Sequence, residues 1–240
     1  MPSSSLNRPR KLFDQPKPVI QRWVRIKMAA KAHAIARAIM RRRLPRIERP
    51  RRKALQQAFE TTKYCAIKNE HGNFRGMSTL FNIGFYLLLA ERDIQAVKID
   101  ALTHPDEWTR KLHARIILLT IYEWDADKVS GRALKDALDT IQVSEELRGQ
   151  AIDALRSLRV VQRKVTKQFG FIRNATIGHR DPNALVQYRA IRDLRTNDVM
   201  AVAAEFYAGV DQFMAVMTKL MAASGTFPAL LRQWATNPAK

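Results

Sequence analysis

The chain has little of what would fix it covalently, anchor it in a bilayer or hold a metal. Cys65 is its one cysteine, so no intramolecular disulfide and no cysteine-rich zinc site can form, and a reducing compartment such as the cytoplasm fits best. The most apolar run, residues 83–90, is far shorter than the roughly 20 residues that span a bilayer, and the N-terminus lacks the apolar core of a secretory signal. There is no glycine-rich phosphate loop and no Ser-His-Asp arrangement, which removes support for nucleotide hydrolysis and acyl transfer. Histidine is scarce, at five residues. His104 and His113 are too far apart in sequence for the three- or four-residue spacing of a helical metal pair, and His33 and His71 have no companion ligands, so no metal and no cofactor are expected. Nor does any stretch alternate with the period of a half-buried strand.

Acidic residues are also few, 22 against 42 Lys and Arg, and the formal net charge is +20. The excess is concentrated. Residues 1–55 hold 17 basic and 2 acidic side chains, hence +15, whereas the remaining 185 residues carry 25 minus 20, or +5. Such a segment attracts polyanions in a salt-dependent way, which points to nucleic acid first and to an anionic membrane surface second. The plain alternative is a solvated arm with no dedicated partner. An organellar targeting segment fits less well, because the basic character persists past residue 50.

The hydrophobic pattern predicts helices throughout. Residues 1–18 contain Pro2, Pro9, Pro16 and Pro18 among Ser, Arg and Lys and read as a flexible basic tail. Residues 19–55 read as a basic amphipathic helix over about 19–43, with Ile20, Val24, Met28, Ala32, Ile35 and Ile39 at helical spacing, followed by a proline-interrupted linker. Its basic cluster, Arg41, Arg42, Arg43, Arg49, Arg51, Arg52 and Lys53, is the candidate nucleic-acid contact. A helical domain is expected over 56–225 and a tail over 226–240. Within the domain, helices are predicted at about 52–67, from Ser78 to about 101, at 106–126, at about 131–141, from Ser144 onward, and along the stripe Val199, Val202, Phe206, Val210, Phe213, Val216, Met217 and Leu220. The fold class is all-α, an antiparallel helical bundle with a basic, partly helical N-terminal extension. Trp23 and Trp108 offer partner contacts, although a Trp beside an amphipathic helix packs more often against its own protein.

One segment brings an imidazole, a fixed cation and polar groups together: Phe171-Ile172-Arg173-Asn174-Ala175-Thr176-Ile177-Gly178-His179-Arg180-Asp181-Pro182. In an unbroken helix Arg173 and His179 would lie about 120° apart. Gly178 just before the histidine permits the helix to end and the chain to turn back. An imidazole near its ordinary pKa can take a ribose 2′ proton while an arginine stabilises developing phosphate charge. The plainer reading has Arg173 paired with a carboxylate such as Asp181, with Asp181 and Pro182 opening the next helix as Ncap and N1.

Arginine, five residues, then histidine on consecutive amphipathic helices resembles the HEPN superfamily, whose motif is Arg, four to six residues, then His. The likeness covers about 150 residues at the level of helix order. It implies a metal-independent endoribonuclease, a toxin or phage-defence effector, with His179 as base or acid, Arg173 as electrostatic clamp and Asn174 in the polar position after the arginine. It also implies a homodimer in which two motifs face each other, RNA as partner, and an antitoxin or sensor protein. Supporting roles fall to Arg180, to Asp181, and to an acidic side chain of an earlier helix, Glu123 or Asp125. Some HEPN toxins are silenced by modification of a tyrosine two positions after the histidine; Asp181 stands there. The rival reading is a non-catalytic helical nucleic-acid-binding or assembly protein using the basic segment, and a third is attachment to anionic membrane through residues 19–43.

Overall fold

The computed structural model describes residues 17–70, 74–124 and 131–236. The expected tail before Lys17, residues 71–73 of the turn that the sequence suggests over 69–73, and Asp125 lie outside the described residues. Among those described there is no strand. The helices are α1 (Lys17–Ile47), α2 (Arg49–Glu70), α3 (Arg75–Thr103), α4 (Glu107–Glu123), α5 (Gly131–Ile141), α6 (Glu145–Arg173), α7 (Ala184–Asp193), α8 (Thr196–Ser224) and α9 (Phe227–Thr236), with a π-helical turn Asn174–Gly178 extending α6. The all-α bundle expected from the pattern is thus the observed class.

α8 is the centre of the core. Its predicted stripe from Val199 to Leu220 is buried at every position, and α3, α4 and α6 pack around it. By length and composition α8 could also cross a membrane, which the shorter 83–90 run did not suggest; here its apolar side meets protein. Trp124, just after α4, sets its ring edge-on to Phe206 at 6.0 Å between centroids. Gly209 permits the closest approach between α6 and α8, since a Cβ there would stand 2.8 Å from Leu158 Cδ2. On α4 the buried apolar residues are Ala114, Ile117, Leu118 and Ile121; of the stripe that the spacing predicts, Leu112, Ile116, Leu119 and Tyr122, the first is exposed and the other three are half-buried, so the inward face is that of the neighbouring residues.

Two of the helix caps that the pattern suggested, Asp106 and Ser144, are observed. Asp106 opens α4 by accepting from the Thr109 N–H at 2.7 Å, and these bonds hold its carboxyl below the usual range. Ser144 opens α6 by accepting from the Leu147 N–H at 3.3 Å. Ser78 does not cap α3: the helix starts at Arg75, and the Ser78 N–H donates to the Phe74 carbonyl at 2.9 Å. The expected tail contains α9, whose Gln233 is fully buried and accepts from the Met77 N–H at 2.9 Å.

The two N-terminal helices form a nearly unbroken rod. Only Glu48 separates them, and the ladder carries on, from the Glu48 N–H to the Leu44 carbonyl at 2.8 Å and from the Arg52 N–H to the Glu48 carbonyl at 2.9 Å. Pro45 lies inside α1 and removes one donor; Pro50 falls in the first turn of α2, where a proline costs little. The prolines therefore leave no extended linker. The rod runs antiparallel to α3, as successive pairs attest: Arg41 with Asp100 (3.8 Å), Glu48 with Lys98 (2.5 Å), Arg51 with Glu91 (3.0 Å) and the rings of Phe59 and Phe85 (5.1 Å). Because α3 ends at Thr103, the rod before Arg41 overhangs it. The apolar positions of α1 consequently stand in solvent, Met28 at 63% and Ile35 at 62% exposure.

Candidate active site

The helix carrying the motif does not run as an ordinary α-helix to its end at Gly178. It widens into the π turn Asn174–Gly178, closed by the His179 N–H donating five residues back to the Asn174 carbonyl at 3.3 Å. Such turns insert a residue's worth of slack and occur often at functional sites. The helical turn ends at Gly178, as the glycine's placement suggested, and the chain reverses just after it. Arg180 takes the left-handed conformation, φ 44°, and the Asp181 N–H donates back to the Ala175 carbonyl at 2.9 Å. A non-glycine residue in that region is strained by about 1–2 kcal/mol.

Gly178 matters for space rather than for torsion. A Cβ there would lie 2.9 Å from Arg173 Cζ and 3.0 Å from its Nε, so the guanidinium rests directly on the glycine backbone. The guanidinium also lies over the ring of Tyr122, with Cζ 4.6 Å from the ring centroid. Its Nη2 donates to the Glu123 carboxylate and its Nη1 to Asn174 Oδ1 at 2.9 Å. The Arg173 side chain is 15% exposed, and its Nε is buried without a partner. Of the two acidic candidates, Glu123 is therefore the one observed at the arginine. Asp181 is not its partner: Asp181 Oδ1 accepts from the Asn183 N–H at 2.8 Å, and Asn183, not Asp181, caps α7 by accepting from Leu185 and Val186.

His179 stands exposed at the end of the turn. Among the described residues no hydrogen bond joins its imidazole to Arg173, so one chain gathers Arg173, Asn174 and Glu123 and leaves His179 beside them. A further cation supports the turn from below. Arg115 of α4, 7% exposed, donates to the Thr176 carbonyl and the Lys111 carbonyl, each at 3.4 Å, and has no carboxylate partner among the described residues. Burial lowers its pKa, and the like charge of Arg180 adds to the effect. Tyr122 and Arg115 were not legible as site residues, because nothing in the spacing of α4 distinguishes a core tyrosine or a surface arginine from these two.

The basic cluster divides into two groups. Arg51 is committed to the body, between Glu91 and Asp211 at 3.0 Å each and 4.6 Å above the Tyr207 ring. Those contacts raise its pKa against the opposing effect of burial, the largest influence. Arg41 pairs loosely with Asp100. Arg42, Arg43, Arg49, Arg52 and Lys53 are exposed, and among the described residues no ion pair engages them. Nor do the described residues contain a group of three His, Cys, Asp or Glu placed to hold a metal ion. No family model, curated protein or solved structure matches this chain.

Proposed function

We propose that the protein is a metal-independent endoribonuclease of HEPN type, acting as a toxin or phage-defence effector. The observation that carries this reading is the placement of Arg173, Glu123 and Asn174 around a π turn that ends in an exposed histidine. Glu123, Tyr122 and Gly178 orient the guanidinium, so its charge is preorganised for a phosphate, the kind of fixed electrostatics that lowers barriers. Arg115 and Arg180 add positive potential at the same turn.

In this reading His179 removes the 2′ proton of the ribose, the 2′ oxygen bonds to phosphorus, and the 5′ oxygen leaves with a proton from a general acid. The products are a 2′,3′-cyclic phosphate and a 5′ hydroxyl. A second copy, presenting its own His179 across a symmetric interface, would supply the acid.

A second reading draws on Arg173 itself. Its guanidinium is already engaged by Glu123, Asn174 and Tyr122, as a purely structural cation would be, and the exposed arginines of the rod would then be the working surface of a non-catalytic RNA-binding protein. Incubating end-labelled structured RNA with the protein in EDTA separates the two. Cyclic-phosphate ends that vanish with His179→Ala are the expected result. Equal cleavage by both proteins would overturn the nuclease reading, and so would salt-sensitive binding by both without any cleavage.

A further inference from the structure

The edge where α4 meets α7 carries chemistry that the motif does not use. Trp108 of α4 and Tyr188 of α7 stack with centroids 6.5 Å apart and planes 20° from parallel, yet they remain 49% and 51% exposed. Leu112, one turn beyond Trp108, and Leu185, one turn before Tyr188, are exposed as well. An ordered aromatic pair left in water offers ring surface to a planar, partly apolar ligand.

Beside this pair a cavity of about 480 Å³ opens between the overhanging part of α1, the start of α4 and the α7–α8 turn. Five cations line it, Arg37, Arg110, Lys111, Arg192 and Arg195, against the carboxylates Glu107 and Asp193, a surplus of three positive charges. Most of these charges are already matched. Lys111 binds Glu107 at 2.7 Å and the Arg192 carbonyl at 2.5 Å, Arg192 holds Asp193 at 2.7 Å, and Arg195 lies 3.7 Å from Asp198. Among the described residues Arg110 donates to the carbonyls of His104 and Pro105 alone, at 2.6 and 2.9 Å. Burial and the nearby Arg37 both disfavour its charge. Arg37 and Arg110 thus carry like charges in one cleft, where Glu107 and Asp106 offset Arg110 in part and Glu107 is itself held by Lys111. A phosphodiester lodged there would relieve both arginines.

We propose that this edge is a track for single-stranded RNA, with a phosphate between Arg37 and Arg110 and a base stacked on the Trp108–Tyr188 pair. The proposal rests on the ribonuclease reading for its destination. The ten residues of α7 span about 15 Å. The cleft lies at one end, through Arg192 and Asp193, and the His179–Asn183 segment lies at the other. A strand held in the cleft and laid along α7 therefore reaches the motif within that length. Stacking requires a base face that a duplex hides, so the track selects unpaired RNA. Arg37 belongs to the overhang of the rod, so the basic arm helps to build the track rather than acting only as a loose electrostatic tether.

The test uses the full chain with His179→Ala, so that binding is read without cleavage. Fluorescence anisotropy with a labelled single-stranded oligouridine and with a labelled RNA hairpin stem compares the two forms. Tighter binding of the single strand is expected. The Trp108→Ala/Tyr188→Ala pair and Arg37→Glu are each expected to weaken it by about tenfold, the order of one lost base stack or phosphate contact. Trp108→Phe keeps a ring and is expected to retain binding, and because these side chains are exposed, circular dichroism should be unchanged. Single-strand affinity indifferent to these changes, or equal losses for stem and single strand, would overturn the track. Loss of cleavage in the wild type would remove the nuclease reading while leaving this result standing; intact cleavage with unaffected binding in the variants would remove the track alone.

Discussion

Four contacts fall on the single guanidinium of Arg173: a ring beneath it, a carboxylate, an amide oxygen, and the bare backbone of Gly178 against its edge. The last is the most exacting, because it depends on an absent atom. Gly178→Ala is expected to push the guanidinium off its seat and break its alignment with Glu123. RNA cleavage should drop by on the order of a hundredfold, the scale on which a displacement of about 1 Å acts. The melting temperature should change little, since the displaced group is the far end of a flexible side chain. A rate and a thermal melt on the same preparation check both halves. Arg173, Asn174, His179 and Glu123 were all visible as candidates, because residue type and spacing speak of charge and proton transfer. Their mutual arrangement was not. The packing of α4 on α6 places Glu123, fifty positions earlier in the chain, against Arg173, and periodicity at 3.6 residues contains no signal for the wider turn that follows.

Among the elements, the α1–α2 rod departs furthest from its sequence pattern. Its spacing predicted a helix with an apolar face, and a helix formed; the face remained uncovered because α3 is too short to reach it. Leu55 and the Phe59–Phe85 ring pair dock α2 on α3, and around the α1–α2 junction the contacts are polar. Lys98, 9% exposed, meets Glu48 at 2.5 Å, and Lys98 and Arg51 lie 4.9 and 4.6 Å from the centroid of Tyr207, whose phenol burial pushes its pKa up. Glu48→Ala leaves a buried ammonium without its carboxylate and is expected to cost about 1–3 kcal/mol. A lowered urea midpoint would register this, together with new protease cuts near the α1–α2 junction as the rod loosens. α8 behaved in the opposite way. All eight positions of its stripe were predicted and all are buried, because one long apolar face has one energetically sensible place to go.

Across the whole molecule, charge is the dominant long-range property, with most of the net +20 on the rod and the residues before it. Binding to RNA is expected to weaken steeply with salt. Each exposed side chain that touches a phosphate should contribute about 0.7 to the slope of log affinity against log salt for a single strand. Removing both Arg42 and Arg43 should accordingly flatten that slope by about 1.4, while Arg51→Ala, which severs Glu91 and Asp211, should reduce stability and leave the slope unaltered. Affinity titrations at four or five salt concentrations distinguish the two kinds of arginine, which composition treats as identical. Sequence by itself determined the all-α class, the core face of α8, the starts of α4, α5 and α6 and the polarity of the arm, since these depend on local propensity, periodicity and summed charge. Only the tertiary structure decided which arginines are committed to carboxylates, where the overhang of the rod leaves a cationic cleft, and how Tyr122, Glu123 and Gly178 converge on Arg173. Those are distances between residues far apart in the chain, set by how helices of unequal length pack, and no local pattern encodes them.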